Sequence, residues 1–210
     1  MSNNKIKAII FDVDGVLFQN HDNNGKYLWS KNAKKDLGLS SGHFSHIYGS
    51  DTDVIRGKKT KQAHLSHIFA TNHLFEGLGT TVDDYIDYWL KHDNGVDPKM
   101  INLVQKINNI VPCYIGTNQE ELRTKHILDL IGEHFLGCFA SYDLGFIKPE
   151  QGFFQHIEKA LSLLPHELLL IDDKKNNTIG AQDCGWHVYH YQNDTRELMD
   201  FLKKHEIMNG

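Results

Sequence analysis

The chain has 210 residues, of which 40% are hydrophobic and 23% are charged. These proportions are ordinary for a globular protein and exclude extended disorder, and the length accommodates one large domain or one domain with a smaller companion. The formal net charge of -5 leaves no excess of Lys and Arg to neutralise a phosphodiester backbone, so we expect no nucleic-acid partner.

The cysteines and the N-terminus indicate the cellular setting. Cys113, Cys138 and Cys184 are widely separated and form no CxxC pair, which argues against a disulfide framework or a cysteine zinc site. The apolar stretch after Lys5 meets Asp12 too soon for a signal peptide. No stretch approaches the ~18 apolar residues that a membrane span needs. We therefore expect a soluble cytoplasmic protein with no membrane partner, either a monomer or a weak dimer.

Short apolar runs that end at polar turns recur along the chain. They cover residues 6–11, 110–115, 168–171 and 187–191, with a weaker candidate at 138–142. Such runs are typical of parallel strands that are buried on both faces. Between them, apolar residues recur at helical spacing. These residues are Met100, Ile101, Val104 and Ile107; Leu122, Ile127, Leu130 and Ile131; and Phe154, Ile157, Leu161 and Leu164. The alternation predicts an α/β fold with a three-layer, doubly wound, Rossmann-like parallel sheet.

A long segment separates the first predicted strand from the second. The gap of about a hundred residues is several times what one helical crossover requires. It contains amphipathic helical patterns around Leu65 and Tyr85 and no comparable run of a buried strand. We therefore predict a catalytic core at residues 1–18 and 96–210, with an inserted α-helical domain at residues 19–95.

Polar side chains cluster where the predicted strands end. Because the carboxyl ends of parallel strands line one crevice, we expect these side chains to meet there. Several carboxylates in one place stay ionised only beside a cation, and oxygen ligands without Cys or His favour Mg²⁺. The candidates for this site are Asp12, Asp14, Thr117, Asn118, Lys148, Asp172 and Asp173.

The same residues predict binding of a phosphoryl group. Thr117, with free backbone amides at a helix start, and Lys148, a compact positive charge, suit the oxygens of a phosphate. One carboxylate can attack phosphorus while a second protonates the leaving oxygen and later accepts a proton from water. This chemistry divides a very slow hydrolysis into two easier steps.

Four motifs in the chain resemble the signatures of the haloacid dehalogenase superfamily. They occur in the family's order, over roughly residues 5–17 and 98–192. The first is Phe-Asp-Val-Asp-Gly-Val-Leu from Phe11, and the second is Ile-Gly-Thr-Asn from Ile115. The third is Gly-Phe-Ile-Lys-Pro-Glu from Gly145, and the fourth is Leu-Ile-Asp-Asp-Lys-Lys-Asn-Asn from Leu170. The insertion after the first motif resembles the helical cap of one subfamily.

The resemblance implies a role for each candidate residue. Asp12 would be the nucleophile, Asp14 the acid and base, and Thr117, Asn118 and Lys148 the phosphate ligands. Mg²⁺ would be held by Asp12, the Asp14 backbone carbonyl and Asp172, with Asp173 supporting it through water. Dehalogenases of the family have no carboxylate at the position of Asp14. The expected function is therefore Mg²⁺-dependent hydrolysis of a small phosphomonoester, a sugar phosphate or similar metabolite, through an aspartyl phosphate.

Three other functions stay open at this point. A phosphomutase of the same superfamily uses the same intermediate and returns the phosphoryl group to a sugar. A catalytically silent member could bind phosphate without turnover. A receiver-like signalling protein also uses acids, a Thr and a Lys on a doubly wound sheet, but its adjacent acids follow the first strand. Here the adjacent pair is Asp172 and Asp173, near the end of the chain.

Overall fold

Five parallel strands form the central sheet in a computed structural model that describes residues 5–22, 25–47 and 52–208. Their order across the sheet is β3-β2-β1-β4-β5, and every neighbouring pair is parallel. The α/β prediction is therefore confirmed. The strands are β1 (Ala8–Phe11), β2 (Cys113–Thr117), β3 (Cys138–Ala140), β4 (Leu168–Asp172) and β5 (His187–His190).

The predicted strands at 6–11, 168–171 and 187–191 match β1, β4 and β5 to within two residues at each end. The strand predicted at residues 110–115 begins three residues before β2 and ends two residues before the end of β2. Ile110 is 52% exposed and lies before the strand, and the Asn108 side chain accepts a hydrogen bond from the Cys113 amide at 2.9 Å. The prediction for β3 ran too far, because Tyr142 lies in a helix that begins at Ser141.

Helices are the main regular elements in the described part of the segment between β1 and the next core helix. This segment contains α1 (Ala33–Leu37), α2 (Ser41–Ile47), α3 (Thr52–Ile55), α4 (Lys61–Thr71) and α5 (Val82–His92), with 3-10 turns at Leu28–Ser30 and His73–Phe75. The start of α5 is fixed by a capping box, in which Thr81 and Asp84 each bond the other's backbone amide. Its aromatic residues Tyr85 and Trp89 pack with Trp29 and Leu65 in a separate hydrophobic cluster.

Six further helices in the described part of the chain flank the sheet. They are α6 (Pro98–Asn108), α7 (Glu121–Ile131), α8 (Ser141–Leu144), α9 (Gln151–Leu161), α10 (Lys175–Asp183) and α11 (Thr195–Lys204), with 3-10 turns at Gly132–His134 and Pro165–Glu167. No helix among the described residues is long and apolar enough to cross a membrane.

The two faces of the sheet bury different residues of the same strand. Along β1, Ile9 and Phe11 join the cluster with α6 and α11, whereas Ala8 and Ile10 join the cluster with α9 and α10. This alternation follows from the two-residue period of a strand and explains why β1 is apolar at every position. Leu130 lies in α7 as its helical spacing predicts, although it is 40% exposed. The prediction for Leu164 was wrong, because α9 ends at Leu161 and Leu164 is 58% exposed.

The strand register brings the ends of three strands to one level. Phe11 pairs with Ile115 on one side and with Ile171 on the other. The residues that follow these three are Asp12, Gly116 and Asp172. The sheet therefore gathers distant parts of the sequence into one crevice, as the doubly wound topology predicts.

Candidate active site

A buried lysine ties two of the predicted carboxylates together. The Lys148 Nζ lies 2.9 Å from Asp12 Oδ1 and 2.6 Å from Asp172 Oδ2, and it donates to the Gly116 carbonyl at 2.7 Å. Asn177 donates to both oxygens of Asp172 at 3.0 Å. We call Lys148, Asp12, Asp172 and Asp173 the Lys148 cluster.

Three acids of this cluster can serve as ligands of a metal ion. Asp12, Asp172 and Asp173 each place a carboxylate oxygen within 4.8 Å of the others. Asp173 Oδ1 is buried and has no hydrogen-bond partner among the described residues, as expected of an atom that binds a ligand. Such an all-oxygen donor set fits Mg²⁺. The predicted metal residues therefore meet, except that the Asp14 side chain lies outside the group.

The turn after β1 brings the backbone close to Asp173. Gly15 has φ +79°, a backbone conformation that is strained for residues with a side chain. A Cβ on Gly15 would lie 2.5 Å from Asp173 Oδ2. The glycine of the first motif is therefore required both by its backbone conformation and by the carboxylate beside it.

The surroundings of Asp12 disfavour its charge. Burial raises the pKa of Asp12 to about 7, and the neighbouring Asp172 and Asp14 add to that rise although Lys148 opposes it. A bound cation would favour the ionised form, because it supplies the positive charge that burial makes necessary. A metal ion bound beside Asp12 would therefore favour the ionised carboxylate.

The residues predicted to bind phosphate differ in their present contacts. Thr117 ends β2, is 1% exposed, and its hydroxyl has no hydrogen-bond partner in the described part of the chain. That hydroxyl is available to a phosphoryl oxygen. Asn118, in contrast, donates to the Lys148 carbonyl at 2.9 Å and accepts from the Lys148 amide at 2.8 Å. Its side chain therefore positions the loop that carries Lys148.

A second charged group surrounds Asp14. The Arg123 guanidinium forms a bidentate pair with the Asp14 carboxylate: Nη1 donates to Oδ2 and Nη2 donates to Oδ1, both at 2.6 Å. Gln119 and Asn20 also donate to this carboxylate, at 2.6 and 2.7 Å. Burial raises the pKa of Asp14, but the charge and hydrogen bonds of Arg123 outweigh burial and bring it below its usual value.

Arg123 is anchored on its other side by a buried acid. Its Nε donates to Asp93 Oδ2 at 2.6 Å, and Asp93 is 1% exposed. His126 contacts the Asp93 carbonyl at 2.7 Å. We call Arg123, Asp14, Asp93, Asn20 and Gln119 the Arg123 cluster. Sequence reasoning found only Asp14 of this set, and no local pattern marks Arg123, whose two acidic partners lie 109 and 30 residues away.

The insertion touches the loop that carries Lys148. Arg56, just after α3, donates to the Gly145 carbonyl and to Glu150 Oε2, both at 2.9 Å. Glu150 also accepts from the Ile147 amide at 3.1 Å. The Ser141 hydroxyl donates to the Ile55 carbonyl at 2.8 Å. These bonds hold the insertion against the third motif.

A cavity of about 410 Å³ lies between the core and the insertion. Its core side includes Asp14, Asn118 and Arg123, beside the strand ends. Its other lining residues from the core are Gln119 and Glu120, and those from the insertion are Tyr27, Trp29, Ile47, Val54, Ile55, Lys61, His64 and Trp89. This volume is within the range of small-molecule sites.

Several known proteins are similar to this chain. A sesquiterpene phosphatase of Aspergillus oryzae, AstK, is 27% identical over 209 residues, which cover 92% of this chain and 94% of the relative. A solved enzyme of the haloacid dehalogenase family from Bacteroides thetaiotaomicron has a TM-score of 0.75 at 20% identity, covering 93% of this chain and 98% of its own. The same enzyme was also solved with magnesium and inorganic phosphate, with a TM-score of 0.70 at 21% identity and coverages of 92% and 98%.

Dehalogenases are also among the similar structures. A 2-haloacid dehalogenase of Pseudomonas syringae has a TM-score of 0.63 at 16% identity, covering 95% of this chain and 99% of its own. At these identities the structures establish the shared fold. The family profile described as haloacid dehalogenase-like hydrolase matches residues 6–185, most of the chain. The protein therefore belongs to the haloacid dehalogenase-like hydrolases.

Proposed function

We propose that the protein is a Mg²⁺-dependent phosphatase that hydrolyses a small phosphomonoester through an aspartyl phosphate. The observation that carries the proposal is the carboxylate of Asp14, which lines the cavity beside the strand ends and which resemblance to the family associates with phosphatases and not with dehalogenases. The sesquiterpene phosphatase among the relatives and the neighbour that was solved with magnesium and phosphate support the same class of reaction.

In the first step, Asp12 attacks phosphorus and the bond to the leaving oxygen breaks. The Lys148 ammonium and the Thr117 hydroxyl hold the phosphoryl oxygens. Mg²⁺, held by Asp12, Asp172, Asp173 and the Asp14 backbone carbonyl, would neutralise the charge of the phosphoryl group. The leaving oxygen takes a proton from Asp14, so that a neutral alcohol departs.

In the second step, a water attacks the phosphorus of the aspartyl phosphate. Asp14 accepts the proton of this water, and Asp12 is released as a carboxylate. Arg123 favours the ionised form of Asp14, which is the form that the second step uses. The first step uses the protonated form, so it requires Asp14 to separate from the Arg123 guanidinium when substrate is bound.

We further propose that residues 19–95 form a cap domain on a core of residues 1–18 and 96–210. Support comes from the separate hydrophobic cluster of the insertion and from the cavity that it shares with the core. A cap in this place excludes water from the reacting phosphate and contacts the part of the substrate beyond it.

The proposal is tested by phosphate release from a generic aryl phosphate. We expect turnover with Mg²⁺, none in excess EDTA, and recovery when Mg²⁺ is restored. Asp172→Asn tests metal binding, and this variant should require more Mg²⁺ for activity. Its control is Asp129→Asn on the exposed side of α7, which should require no more Mg²⁺ than the native chain. Full activity in chelator would contradict the metal-dependent mechanism. A strict requirement for a bisphosphate activator would indicate a phosphomutase instead.

A further inference from the structure

The core lines the cavity with polar residues only, whereas the insertion lines it with five apolar residues and with Tyr27, Lys61 and His64. The apolar wall comes entirely from the insertion: Trp29, Ile47, Val54, Ile55 and Trp89. Trp29 and Trp89 are 5% and 6% exposed, and their ring centroids lie 6.3 Å apart. Two packed indoles with branched aliphatic neighbours form a fixed apolar surface that faces the cavity.

This wall cannot satisfy a substrate that is rich in hydroxyl groups. Aliphatic side chains offer no hydrogen bonds, and an indole offers one donor and no acceptor. A hydroxyl that is buried against such a wall loses its bonds to water without replacing them. An apolar group gains by the same transfer, because it leaves water for a surface that already excludes it.

Lys61 is a charged residue that the insertion contributes to the cavity. Its ammonium lies 5.9 Å from the centroid of the Trp89 ring and 3.5 Å from the Ile47 carbonyl. The ammonium is thus held at the wall by an aromatic face and a carbonyl. The remaining charged groups of the cavity, Asp14, Glu120 and Arg123, come from the core side.

We propose that the substrate is the phosphate monoester of an apolar alcohol, with its hydrocarbon group against the wall of the insertion and its phosphate at the strand ends. The proposal rests on the proposed phosphatase function and replaces a sugar with a hydrocarbon as the leaving group. Specificity then resides in Trp29, Trp89 and Ile55, whereas the residues of the Lys148 cluster serve any phosphate.

A series of n-alkyl phosphates from ethyl to octyl tests this proposal by turnover. We expect kcat/KM to rise about threefold to fourfold for each added methylene until the cavity is full. Glucose 6-phosphate should react at least about tenfold less efficiently than hexyl phosphate. A flat series, or a sugar phosphate that equals hexyl phosphate, would overturn the proposal.

A pair of matched variants locates the effect. Ile55→Thr places a hydroxyl on the wall, and we expect kcat/KM for hexyl phosphate to fall about threefold to tenfold while that for ethyl phosphate falls less. Ile68→Thr makes the same change at another half-buried position of the insertion that does not line the cavity. It should alter neither substrate. Equal losses for both substrates in Ile55→Thr would contradict contact with the hydrocarbon.

Binding of n-alkyl phosphonates separates this proposal from the phosphatase proposal, because it requires no turnover. Titration of the full chain, followed by calorimetry and by tryptophan fluorescence, should show affinity that increases with chain length, and Ile55→Thr should weaken the increase. Affinity that rises with chain length while no ester is hydrolysed would contradict the phosphatase and retain the apolar site. Affinity that is independent of chain length would overturn the apolar site, whatever the turnover.

Discussion

The Lys148 cluster and the Arg123 cluster place two carboxylates of one motif in opposite electrostatic surroundings. Asp12 and Asp14 are two residues apart, yet the pKa of Asp12 is raised to about 7 whereas that of Asp14 is lowered. Asp12 shares a single buried ammonium with Asp172, while Asp14 holds a bidentate guanidinium. Separation in environment, not in sequence, allows neighbouring acids to take different roles.

The largest expected effect concerns Asp12, the proposed nucleophile of the Lys148 cluster. Asp12→Asn should lower kcat for an aryl phosphate by more than about 10⁴-fold, because the amide cannot form an acyl phosphate. The measurement is phosphate release with saturating Mg²⁺, together with circular dichroism to verify the fold. Activity within tenfold of the native chain would show that Asp12 does not attack phosphorus.

The acid of the Arg123 cluster should have a smaller effect that depends on the leaving group. Asp14→Asn should lower kcat for an alkyl phosphate by about 10²- to 10⁴-fold, through loss of proton transfer. An aryl phosphate with a good leaving group should lose less, because its oxygen departs without a proton. The ratio of the two losses is the measurement. Equal losses for both esters would argue against proton transfer to the leaving oxygen.

Removal of the central cation should test what stabilises the Arg123 cluster. Arg123→Met leaves Asp93 buried without its partner, so we expect the free energy of unfolding to fall by about 3–5 kcal/mol. Lys125→Met is the control, because Lys125 lies on the same helix in an exposed pair with Glu121. Urea denaturation of both variants gives the comparison. A loss in Arg123→Met no larger than that of the control would show that the cluster does not stabilise the fold.

The pH dependence of the free energy of unfolding should change in opposite directions when Asp12 and Asp14 are replaced. In chelator at about pH 8, Asp12→Asn should be more stable than the native chain by up to about 4 kcal/mol, since the raised pKa makes ionised Asp12 destabilising. This gain should disappear as pH falls from about 7 toward the ordinary Asp value of 3.8.

Asp14→Asn should behave in the opposite way. Ionised Asp14 stabilises the fold above the pKa that it has in the unfolded chain, so this variant should be less stable than the native chain near neutral pH. The difference should close only as pH falls through the lowered folded pKa. Urea midpoints measured across pH give both curves. If both variants were more stable than the native chain near neutral pH, or both less stable, the contrast between the clusters would be contradicted.

The two clusters also differ in how far the sequence reveals them. Each member of the Lys148 cluster ends a strand, follows one directly or lies in a loop at the strand ends, so the topology of a parallel sheet predicts that they meet. The strands were found because they are mainly apolar. The prediction for β2 began too early, since Ile110 is apolar but exposed, and the prediction for β3 ran too far. The end of each strand can be recognised from the local sequence, and the parallel sheet brings these ends together at one edge.

The Arg123 cluster has no such local signal. Arg123 lies on a helix of mixed polarity, and a buried arginine resembles an exposed one until its partners are known. Asp93 and Asn20 lie at the two ends of the insertion and meet Arg123 only in the folded chain. The apolar wall of the cavity has the same character, because Trp29, Ile55 and Trp89 belong to separate elements and look like ordinary core residues in the sequence.

The most direct test of the mechanism is to trap phosphate on the protein. The native chain is mixed with Mg²⁺ and an aryl phosphate, quenched in acid during turnover, digested, and analysed by mass spectrometry. We predict one phosphoryl group on the peptide that contains Asp12, with none in Asp12→Asn or in a sample without Mg²⁺. A phosphoryl group on another residue, or turnover without any phosphorylated peptide, would contradict an aspartyl phosphate at Asp12.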